Sequence, residues 1–370
     1  MIKVLHVVYG GTGGAARIVL DIAMHHDKRF EPTVVLLGYQ VNPNYLSELR
    51  ESGIKGEALI KSRKWDFNFL LRLRKTIRFY NPDILLLHTP VAYFWGRAAA
   101  IGLDIKAVLT VEHLAMKNYN GLIGRWINIV QSLIMSDKTI CVSDDVKAVV
   151  KKELFLPDDK IEIINNGIPV QKFSEATLRN FPQNKPAKII MVSRLDQQKD
   201  PETLIRAIAL LSQQGIDVKL DFVGDGTLKE DLEGLTKDLG LTHLVSFLGM
   251  RSDVKRLLFD SDLFVLSTHR EGLPISLLEA MAIGLPCIAT AVPGTLNVIE
   301  EGISGLLVKE NDPVGLSQAI SFLIKNPNTA SSFSREAQKR VLDKFNICRT
   351  AREYEKVFDR ILALSNLDNR

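Results

Sequence analysis

Short apolar runs alternate with longer amphipathic segments along nearly the whole chain. The runs are rich in Val, Ile and Leu, as in strands buried on both faces, and the segments between them carry apolar residues at helical spacing. In the first half the predicted strands are Ile2–Val8, Thr33–Leu37, Ile84–Leu87, Ala107–Val111, Thr139–Val142 and Ile161–Ile164. In the second half they are Lys188–Ser193, Lys219–Val223, Val245–Leu248, Leu263–Ser267, Cys287–Thr290 and Gly305–Val308.

The predicted helices fall between these strands. In the first half they are Gly14–His25, Tyr45–Glu51, Asn68–Phe79, Tyr93–Ala100, Gly121–Met135 and Asp144–Leu154. In the second half they are Pro201–Ser212, Leu228–Leu239, Asp253–Phe259, Ile275–Ile283 and Val314–Ile324, followed by a helical tail from about Ser332 to Leu364. Regular alternation of this kind predicts mostly parallel sheets that are covered by helices on both faces.

The length of the chain favours two domains. A chain of 370 residues is too long for one ordinary core. Turn-forming residues with little periodicity occupy residues 168–187, which we interpret as a linker. The predicted organisation is therefore a first domain over residues 1–167, a second domain over residues 188–345 and a C-terminal helix over residues 346–370.

The most distinctive motif joins a predicted strand to a predicted helix. Glu271 and Glu279 enclose the segment Glu-Gly-Leu-Pro-Ile-Ser-Leu-Leu-Glu, and Ala-Met-Ala-Ile-Gly-Leu-Pro follows it. Glu271 is expected at the carboxyl end of a strand, where open α/β sheets bind ligands. The turn and the start of the helix, with the proline at the first helical position, are formed by Gly272, Leu273, Pro274 and Ile275. The N–H groups there favour an anion, and Glu279 follows one helical turn later.

The two glutamates at this spacing and the segment after them resemble the signature of retaining GT-B glycosyltransferases of family 4, of the bacterial type that makes polysaccharides and lipid-linked glycans. The resemblance implies an α/β fold with two doubly wound, Rossmann-like domains that face a central cleft. It also implies a last helix that crosses back to the first domain. In that family pattern Glu271 holds hydroxyls of the donor sugar and Glu279 holds the ribose. The alternative, two solvated surface carboxylates, is disfavoured by the ordered turn and helix pattern around them.

A glycine-rich segment, Gly10–Gly14, follows the first predicted strand. Glycines permit positive φ and close approach of a phosphate to a helix N-terminus. Gly11-x-Gly13-x-x-Ala16 also fits the loose dinucleotide fingerprint, but the second strand ends without the acid that binds a ribose. A nicotinamide or flavin is therefore disfavoured, and no cofactor is predicted. The family resemblance implies instead that Gly13 and Gly14 approach the donor's diphosphate, and a plain strand-to-helix turn is compatible with both interpretations.

Two cations follow the first predicted strand of the second domain. Arg194 and Lys199 lie in a segment that resembles the family's Gly-Arg-Leu-x(3)-Lys-Gly, with Ser193 and Asp200 in place of its glycines. Permanent cations ahead of a helix can neutralise a diphosphate, so both are predicted to bind the donor. Arg251, in a segment that resembles the loop that meets the nucleotide base, is predicted as a further donor-binding residue.

His113 comes just after the predicted strand Ala107–Val111. The segment Thr-Val-Glu-His resembles the family's Thr-x-His, and the resemblance implies that His113 faces the donor sugar. His113 is therefore predicted, with Glu271, as a catalytic residue. The alternative is a hydrogen-bonded structural histidine. His6 and His88, also at strand positions, are assigned no role.

Positive charge is concentrated in one segment. The net charge is +4, and residues 1–170 hold 22 Lys and Arg against 17 Asp and Glu. Seven cations lie in one short stretch, where aromatic and aliphatic residues separate them: Lys61, Arg63, Lys64, Arg72, Arg74, Lys75 and Arg78. Such a helix is suited to peripheral contact with an anionic membrane, and the alternative is an amphipathic helix with solvated charges. No nucleic-acid-binding motif accompanies the stretch, so no nucleic acid partner is predicted.

The remaining composition bears on compartment and metal. No apolar run approaches the ~18 residues of a spanning helix, and the start of the chain lacks a signal-peptide cleavage site. Three widely spaced cysteines are typical of reduced thiols, so we expect a cytoplasmic protein, peripheral at the inner face of the membrane. The triplet Asp260-Ser261-Asp262 is explained by turn formation before a strand, and no metal site is predicted.

Together these observations predict an enzyme that moves a sugar from a nucleotide diphosphate sugar, preferably a UDP-sugar, to a glycan or lipid-linked acceptor with retention of anomeric configuration. Cell-surface polysaccharide or glycolipid synthesis is the expected setting. The alternative is a catalytically weak nucleotide-sugar-binding sensor or scaffold on the same fold. A dinucleotide-dependent oxidoreductase is a further, less favoured alternative.

Overall fold

The computed structural model describes residues 1–11, 13–62, 66–113, 121–173, 181 and 185–368. The chain forms two compact units, one of Met1–Ile168 with Asn346–Arg370 and one of Pro169–Phe345. Each unit is built on its own parallel sheet, with helices in the connections between strands. The prediction of two doubly wound, Rossmann-like α/β units is therefore confirmed. Of the predicted linker, residues 174–180 and 182–184 lie outside the described residues.

The first unit contains a seven-stranded sheet. Its strands are β1 (Ile2–Tyr9), β2 (Phe30–Gly38), β3 (Lys55–Ile60), β4 (Ile84–His88), β5 (Ala107–Glu112), β6 (Lys138–Cys141) and β7 (Ile161–Ile163). The helices between them are α1 (Gly13–His25), α2 (Pro43–Glu51), α3 (Phe67–Tyr80), α4 (Pro90–Ala100), α5 (Gly121–Ile134) and α6 (Asp144–Leu154). The strands are all parallel and lie in the order β3-β2-β1-β4-β5-β6-β7.

The apolar strands of this sheet are buried on both faces. Val34 and Leu36 of β2 pack in a core cluster with residues of α1 and α2. Their neighbours Val35 and Leu37 pack in a second cluster with residues of α3 and α4. Successive side chains of a strand point to opposite faces, so a strand that separates two helical layers must be apolar throughout. This is the physical reason for the continuous apolar runs in the sequence.

The second unit contains a six-stranded sheet. Its strands are β8 (Ala187–Val192), β9 (Val218–Val223), β10 (Val245–Phe247), β11 (Leu263–Leu266), β12 (Cys287–Thr290) and β13 (Leu306–Val308). Its helices are α7 (Pro201–Gln213), α8 (Lys229–Asp238), α9 (Val254–Phe259), α10 (Ile275–Ile283), α11 (Pro293–Val298), α12 (Pro313–Lys325) and α13 (Pro327–Lys344). The strands are all parallel, in the order β10-β9-β8-β11-β12-β13.

The sequence analysis missed one strand of the first unit and one helix of the second unit. Strand β3 contains Lys55, Gly56 and Glu57, and it pairs only with β2 at the edge of the described sheet. An edge strand need not be apolar on both sides, so it lacks the run that identifies the central strands. Helix α11 has six residues and begins at Pro293. Its first two residues, Pro293 and Gly294, are a pair typical of turns, and they conceal the helix in the sequence.

The C-terminal helix α14 (Ile347–Asp368) packs within the first unit, against α1. Its first turn is tied to the end of the first segment, because the Ile347 N–H donates to the Ile168 carbonyl at 3.0 Å. Thr350 Oγ1 donates to the Asn165 carbonyl at 2.9 Å. Between these contacts, a Cβ atom added at Gly167 would lie 2.6 Å from the Asn346 carbonyl carbon and from the Ile347 nitrogen. The start of α14 therefore packs directly against the backbone of Gly167.

We predict that Gly167→Ala destabilises the first unit, because the added methyl group overlaps the backbone at the start of α14. Overpacking of this kind typically lowers the free energy of unfolding by about 1–3 kcal/mol. Gly234→Ala is the matched control, since position 234 of α8 is exposed, no atom lies within 4 Å of the added Cβ, and alanine favours a helix by about 0.5–1 kcal/mol. Urea unfolding of both variants measures the difference. Equal stability of the two variants would contradict the proposed packing.

Candidate active site

In the second unit the sheet order creates a switch point. The strands β8 and β11 are neighbours, and the chain proceeds from β8 to one edge of the sheet and from β11 to the other. Loops that leave adjacent parallel strands in opposite directions frame the crevice in which open α/β sheets bind ligands. Here these loops are residues 193–200, called the β8 loop, and residues 267–274, called the β11 loop. They contain Arg194, Lys199 and the start of the Glu271 motif.

Hydrogen bonds of Gln198 join the two loops. Its side-chain Nε2 donates to the Arg270 carbonyl at 2.8 Å. Its own carbonyl accepts from the His269 N–H at 2.8 Å and from Thr268 Oγ1 at 3.0 Å. Gln198 bonds through both its side chain and its backbone, so it holds the β11 loop at three consecutive residues, Thr268 to Arg270. The β8 loop and the β11 loop are consequently fixed to each other.

An ion pair between Lys199 and Glu271 completes this connection. The two side chains are only 15% and 7% exposed, so each charge is largely removed from water. A buried charge is costly unless it is paired, and removal of one partner leaves the other uncompensated. A Cβ added at Gly294 would lie 2.6 Å from Glu271 Cβ, so the start of α11 packs directly on the Glu271 backbone.

Asp200 follows Lys199 where the family pattern has glycine, and its backbone explains the difference. The residue adopts φ +43°, in the left-handed region that favours glycine and that aspartate tolerates better than most residues. Its carboxylate also caps α7, because it accepts from the Thr203 N–H at 3.4 Å. Its carbonyl accepts from Ser267 Oγ at 2.8 Å, a further bond between the two loops. Aspartate thus preserves the glycine-like turn and adds a helix cap.

Helix α10 spans Ile275–Ile283, the bounds that were predicted, and only the expectation that Pro274 occupies its first helical position is wrong by one residue. Pro274 is the N-cap, with an extended backbone at φ −77° and ψ 103°, and no side chain caps the helix there. The first intrahelical bond runs from the Leu278 N–H to the Pro274 carbonyl at 3.2 Å. The N–H groups before it belong to the first turn and point out of the helix end. Glu279 is half-buried, one turn further along α10.

The two predicted arginines are exposed and pair with acids of their own loops. Arg194 contacts Asp196 at 2.8 Å. Arg251, after β10, binds both carboxylate oxygens of Asp253 at 2.8 Å. The adjacent guanidinium of Arg251 lowers the pKa of the Asp253 carboxyl group. Both arginines therefore lie in loops at the carboxyl ends of strands, but neither stands as an unpaired cation.

In the first unit the glycine-rich segment differs in detail from the prediction. Positive φ values occur at Gly10 (+82°) and Gly11 (+72°), so these two residues make the turn after β1. Gly13 and Gly14 belong instead to the first turn of α1. Thr12 lies outside the described residues. Gly13 and Gly14 therefore lie at the N-terminus of a helix, where backbone N–H groups favour an anion.

His113 lies one residue beyond β5 and contacts His88, which in turn contacts His6. Nε2 of His113 is 3.2 Å from Nδ1 of His88, and Nε2 of His88 is 3.2 Å from Nδ1 of His6. Neighbouring rings are stacked, with centroids 5.5 and 5.4 Å apart. Burial lowers the pKa of His113 to about 4. Burial, together with neighbouring histidines, also holds the pKa values of His6 and His88 well below their usual range.

Two family models together match most of the chain. The model described as Glycosyltransferase Family 4 matches residues 12–172, and the model described as Glycosyl transferases group 1 matches residues 174–340. The chain is a family 4 GT-B glycosyltransferase. The matches divide between the two units that carry the site elements described above.

Curated relatives of the glycosyltransferase include bacterial enzymes with named substrates. The Escherichia coli UDP-Gal:alpha-D-GlcNAc-diphosphoundecaprenol alpha-1,3-galactosyltransferase is 28% identical over 77% of each chain. The Bacillus anthracis N-acetyl-alpha-D-glucosaminyl L-malate synthase is 28% identical over 65% of this chain and 70% of its own. Among solved structures, Anabaena Alr3699/HepE in complex with UDP-glucose aligns with a TM-score of 0.85, at 19% identity over 97% of this chain and all of its own. That likeness shows the GT-B fold.

The structure of the glycosyltransferase groups its predicted site residues within each unit. In the second unit it brings Lys199 and Glu271 into contact and places the N-terminus of α10 in the same pair of joined loops. In the first unit it places Gly13, Gly14 and His113 after the carboxyl ends of β1 and β5. The sequence analysis missed Gln198, His6 and His88, whose roles depend on contacts between strands far apart in the sequence. The signals in the sequence were weak: Gln198 directly precedes Lys199, and His6 and His88 lie at strand positions.

The Asp260-Ser261-Asp262 triplet precedes β11, at the end of the strand opposite to Glu271. The Asp262 carboxylate accepts from the Lys188 N–H at 2.8 Å and so fastens the start of β11 to β8. In the part of the chain that the structure describes, no group of three or more His, Cys, Asp or Glu side chains is arranged to hold a metal ion. Over the same residues, no helix is long and apolar enough to cross a membrane.

The buried histidines predict a loss of stability in mild acid. The unfolded chain binds protons below the ordinary histidine pKa of 6.5, whereas folded His113 stays neutral to about pH 4. The free energy of unfolding should therefore fall as the pH is lowered through 6.5, by about 1.4 kcal/mol per pH unit for each such histidine. Urea unfolding between pH 7.5 and 5 measures this slope. His113→Asn should make it shallower, and replacement of exposed His243 by Gln should not; a slope unaffected by His113→Asn would refute the assignment.

Proposed function

We propose that this glycosyltransferase moves a sugar from a nucleotide diphosphate sugar, with UDP as the preferred nucleotide, to a glycan or lipid-linked acceptor with retention of anomeric configuration. The observation that carries the proposal is the pair of joined loops with Lys199, Glu271 and the open start of α10. The UDP complexes of Anabaena Alr3699/HepE and the UDP-galactose named for the Escherichia coli relative support the nucleotide. The diphosphoundecaprenol named for the same relative supports a lipid-linked acceptor.

The diphosphate of the donor would bind where positive charge and N–H dipoles converge. Lys199 supplies a largely buried ammonium group, and the first turn of α10 supplies backbone N–H donors. Arg194 would turn from Asp196 to the phosphate oxygens when an anion of higher charge is present. In the first unit, the start of α1 at Gly13 and Gly14 would approach the same donor. Departure of a diphosphate is assisted by such fixed charges without a strong base.

The two glutamates would bind hydroxyl groups of the donor. Glu271 is held in the β11 loop by its ion pair and would accept hydrogen bonds from hydroxyls of the sugar. Glu279, one turn inside α10, would bind the ribose. His113 of the first unit would contact the sugar at the reacting centre, where positive charge builds up as the bond to the diphosphate breaks. An oxocarbenium-like transition state is common to retaining and inverting transfer, so the proposal of retention at the anomeric carbon is supported by the family resemblance alone.

Replacement of the glutamates should affect different steps. We predict that Glu279→Ala chiefly raises the KM for the donor, because a ribose contact is present in both ground and transition states. Glu271→Ala should chiefly lower kcat, by an amount that corresponds to about 1.5–3 kcal/mol. Steady-state kinetics with the donor varied measure both effects.

Glu271→Gln controls for the loss of the ion pair with Lys199, since glutamine preserves a hydrogen-bond acceptor of the same size. Thermal unfolding of each variant separates misfolding from loss of function. Wild-type kinetics in both alanine variants would remove the basis for the site assignment.

A panel of nucleotide sugars tests the function itself. We expect thermal stabilisation by a UDP-sugar, about 2.7 kcal/mol at 100 times its dissociation constant, and slow hydrolysis of that donor without acceptor. Proton NMR of the transfer product should show the anomeric configuration of the donor. Binding without any hydrolysis or transfer would favour the alternative of a sugar-nucleotide sensor, and an inverted product would disprove retention.

We also propose a cytoplasmic location with peripheral contact between α3 and an anionic membrane surface. The structure narrows the set of cations that can take part. Lys61 is buried, with its Nζ 4.7 Å from the Trp95 ring centroid. Arg72 donates to the Ile60 carbonyl at 2.7 Å, and Arg74 donates to the carbonyls of Ala99 and Ile101 at the end of α4. Arg63, Lys64 and Trp65 lie outside the described residues.

Arg72 is exposed but its guanidinium is held at the Ile60 carbonyl, so Lys75 and Arg78 are the exposed cations of α3 that we select for the contact, and they lie among exposed apolar side chains. Phe67, Leu71 and Phe79 are 73%, 64% and 79% exposed. Bases mixed with apolar groups on one helix are the combination that favours an anionic lipid surface. These five residues are therefore the proposed membrane contact.

We predict co-sedimentation with anionic but not neutral liposomes, weakened by salt because the attraction is screened over about 8–10 Å at physiological ionic strength. The double variant Lys75→Glu, Arg78→Glu should bind more than tenfold less, since each cation contributes roughly 1 kcal/mol and reversal adds repulsion. The control is Arg335→Glu, Lys339→Glu, the same charge change on exposed positions of α13. Equal loss in both double variants, or equal binding to both vesicle types, would eliminate α3 as the contact.

A further inference from the structure

The β11 loop has a second support besides the β8 loop. This support is residues 290–295, called the β12 segment, which runs from the last residue of β12 into the first turn of α11. In the sheet of the second unit, β8 and β12 are the two neighbours of β11, one on each side. The β11 loop, which contains Glu271, is therefore flanked by the β8 loop on one side and by the β12 segment on the other.

The hydroxyl group of Thr290 bonds both backbone groups of Thr268. Thr290 Oγ1 accepts from the Thr268 N–H at 2.8 Å and donates to the Thr268 carbonyl at 2.5 Å. These directions are fixed, because an N–H only donates and a carbonyl only accepts. The pairing of β11 with β12 ends at Leu266 and Ala289. Beyond that point, the Thr290 hydroxyl takes the place of a partner strand for the start of the β11 loop.

Thr268 and Thr290 belong to a chain of buried hydroxyl groups that includes Thr295 of α11. Thr295 Oγ1 accepts from the Val292 N–H at 3.1 Å, and it donates toward the carbonyls of Thr290 and Val292. At the other end, Thr268 Oγ1 donates to the Gln198 carbonyl at 3.0 Å. A buried hydroxyl group that both donates and accepts has one orientation, so a chain of them holds its segments rigidly.

Glu271 packs against the other end of the β12 segment. A Cβ atom added at Gly294 would lie 2.6 Å from Glu271 Cβ and 2.7 Å from the Glu271 carbonyl oxygen. The φ of Gly294 is not positive, so glycine is needed at this position for space and not for backbone freedom. Direct contact with the first turn of α11 therefore limits where the backbone of Glu271 can lie.

We propose that Thr290 and Gly294 are positioning residues for Glu271, which fix its carboxylate relative to Lys199 and to the donor sugar. The part that concerns the sugar rests on the proposed function. Neither residue needs to meet the donor, since Thr290 is buried and Gly294 has no side chain. Both act through the β11 loop, whose opposite side is bonded to Gln198. Because a displacement of about 1 Å at a reacting centre can lower a rate by a large factor, such a support determines turnover.

Thr290→Val and Thr290→Ser form a matched pair of variants. Valine keeps the shape but removes the hydroxyl group, so the N–H and the carbonyl of Thr268 lose that partner, whereas serine retains the hydroxyl group. Hydrogen exchange at the Thr268 amide, measured by NMR, reports the contact independently of activity. We expect exchange about tenfold faster in Thr290→Val and within about threefold of the wild type in Thr290→Ser. Thr236→Val, which removes a buried hydroxyl group from α8, is the control.

Steady-state kinetics test the effect on transfer. Thr290→Val and Gly294→Ala should lower kcat about tenfold with little change in the KM for the donor. Thr290→Ser and the control Gly234→Ala should stay within about twofold of the wild type. Neither Thr290→Val nor Gly294→Ala should lower kcat further when Glu271→Ala is already present, because both act through that side chain.

The outcomes separate this proposal from the proposed function. An equal loss of kcat in the presence and absence of Glu271→Ala would overturn the positioning role. Unchanged exchange at Thr268 in Thr290→Val would overturn it whatever the activity, and this measurement does not depend on whether Gly294→Ala folds. The expected exchange rates together with wild-type kcat in Glu271→Ala alone would leave the support intact and refute the role of Glu271 in the proposed function.

Discussion

Parallel pairing of β8 with β11 is the constraint on which the candidate site of the second unit depends. It places two loops side by side that are separated by more than sixty residues of sequence. Gln198 then bonds the loops together, and the ion pair of Lys199 with Glu271 lies next to that bond. A cation and a carboxylate placed on separate flexible loops would lose conformational entropy on meeting a ligand. Here that entropy is lost during folding, which leaves the site organised in advance.

Much of this arrangement could be predicted from the sequence, because the strongest signals are local. Apolar runs reveal strands that are buried on both faces, and the strand-to-helix motif places Glu271 and the start of α10 within one residue. Weak signals arise where a strand lies at a sheet edge, as for β3, or where a helix begins with residues typical of a turn, as for α11. The sequence does not explain why Asp200 replaces the glycine of the family pattern, because the explanation depends on the left-handed backbone at this residue.

Properties that depend on register or packing could not be predicted. His6, His88 and His113 are neighbours because three strands pair in a particular register. That register cannot be derived from the sequence alone. The basic segment shows the same limit for charge. Lys61 lies under an aromatic ring and Arg74 caps the end of α4, so a count of cations overstates the charge that reaches solvent. Exposed charge is a property of the folded surface.

The ion pair of Lys199 with Glu271 also has a consequence for discrimination among ligands. Because the two charges cancel, the ion pair by itself presents little net attraction to small anions such as inorganic phosphate. An anion that captured Lys199 alone would strand a largely buried carboxylate, at a cost that offsets its own binding. A molecule that carries both a phosphate group and nearby hydroxyls satisfies the two partners simultaneously. Under the proposed function, the mutual neutralisation of Lys199 and Glu271 therefore weakens the binding of donor fragments and favours the binding of the complete donor.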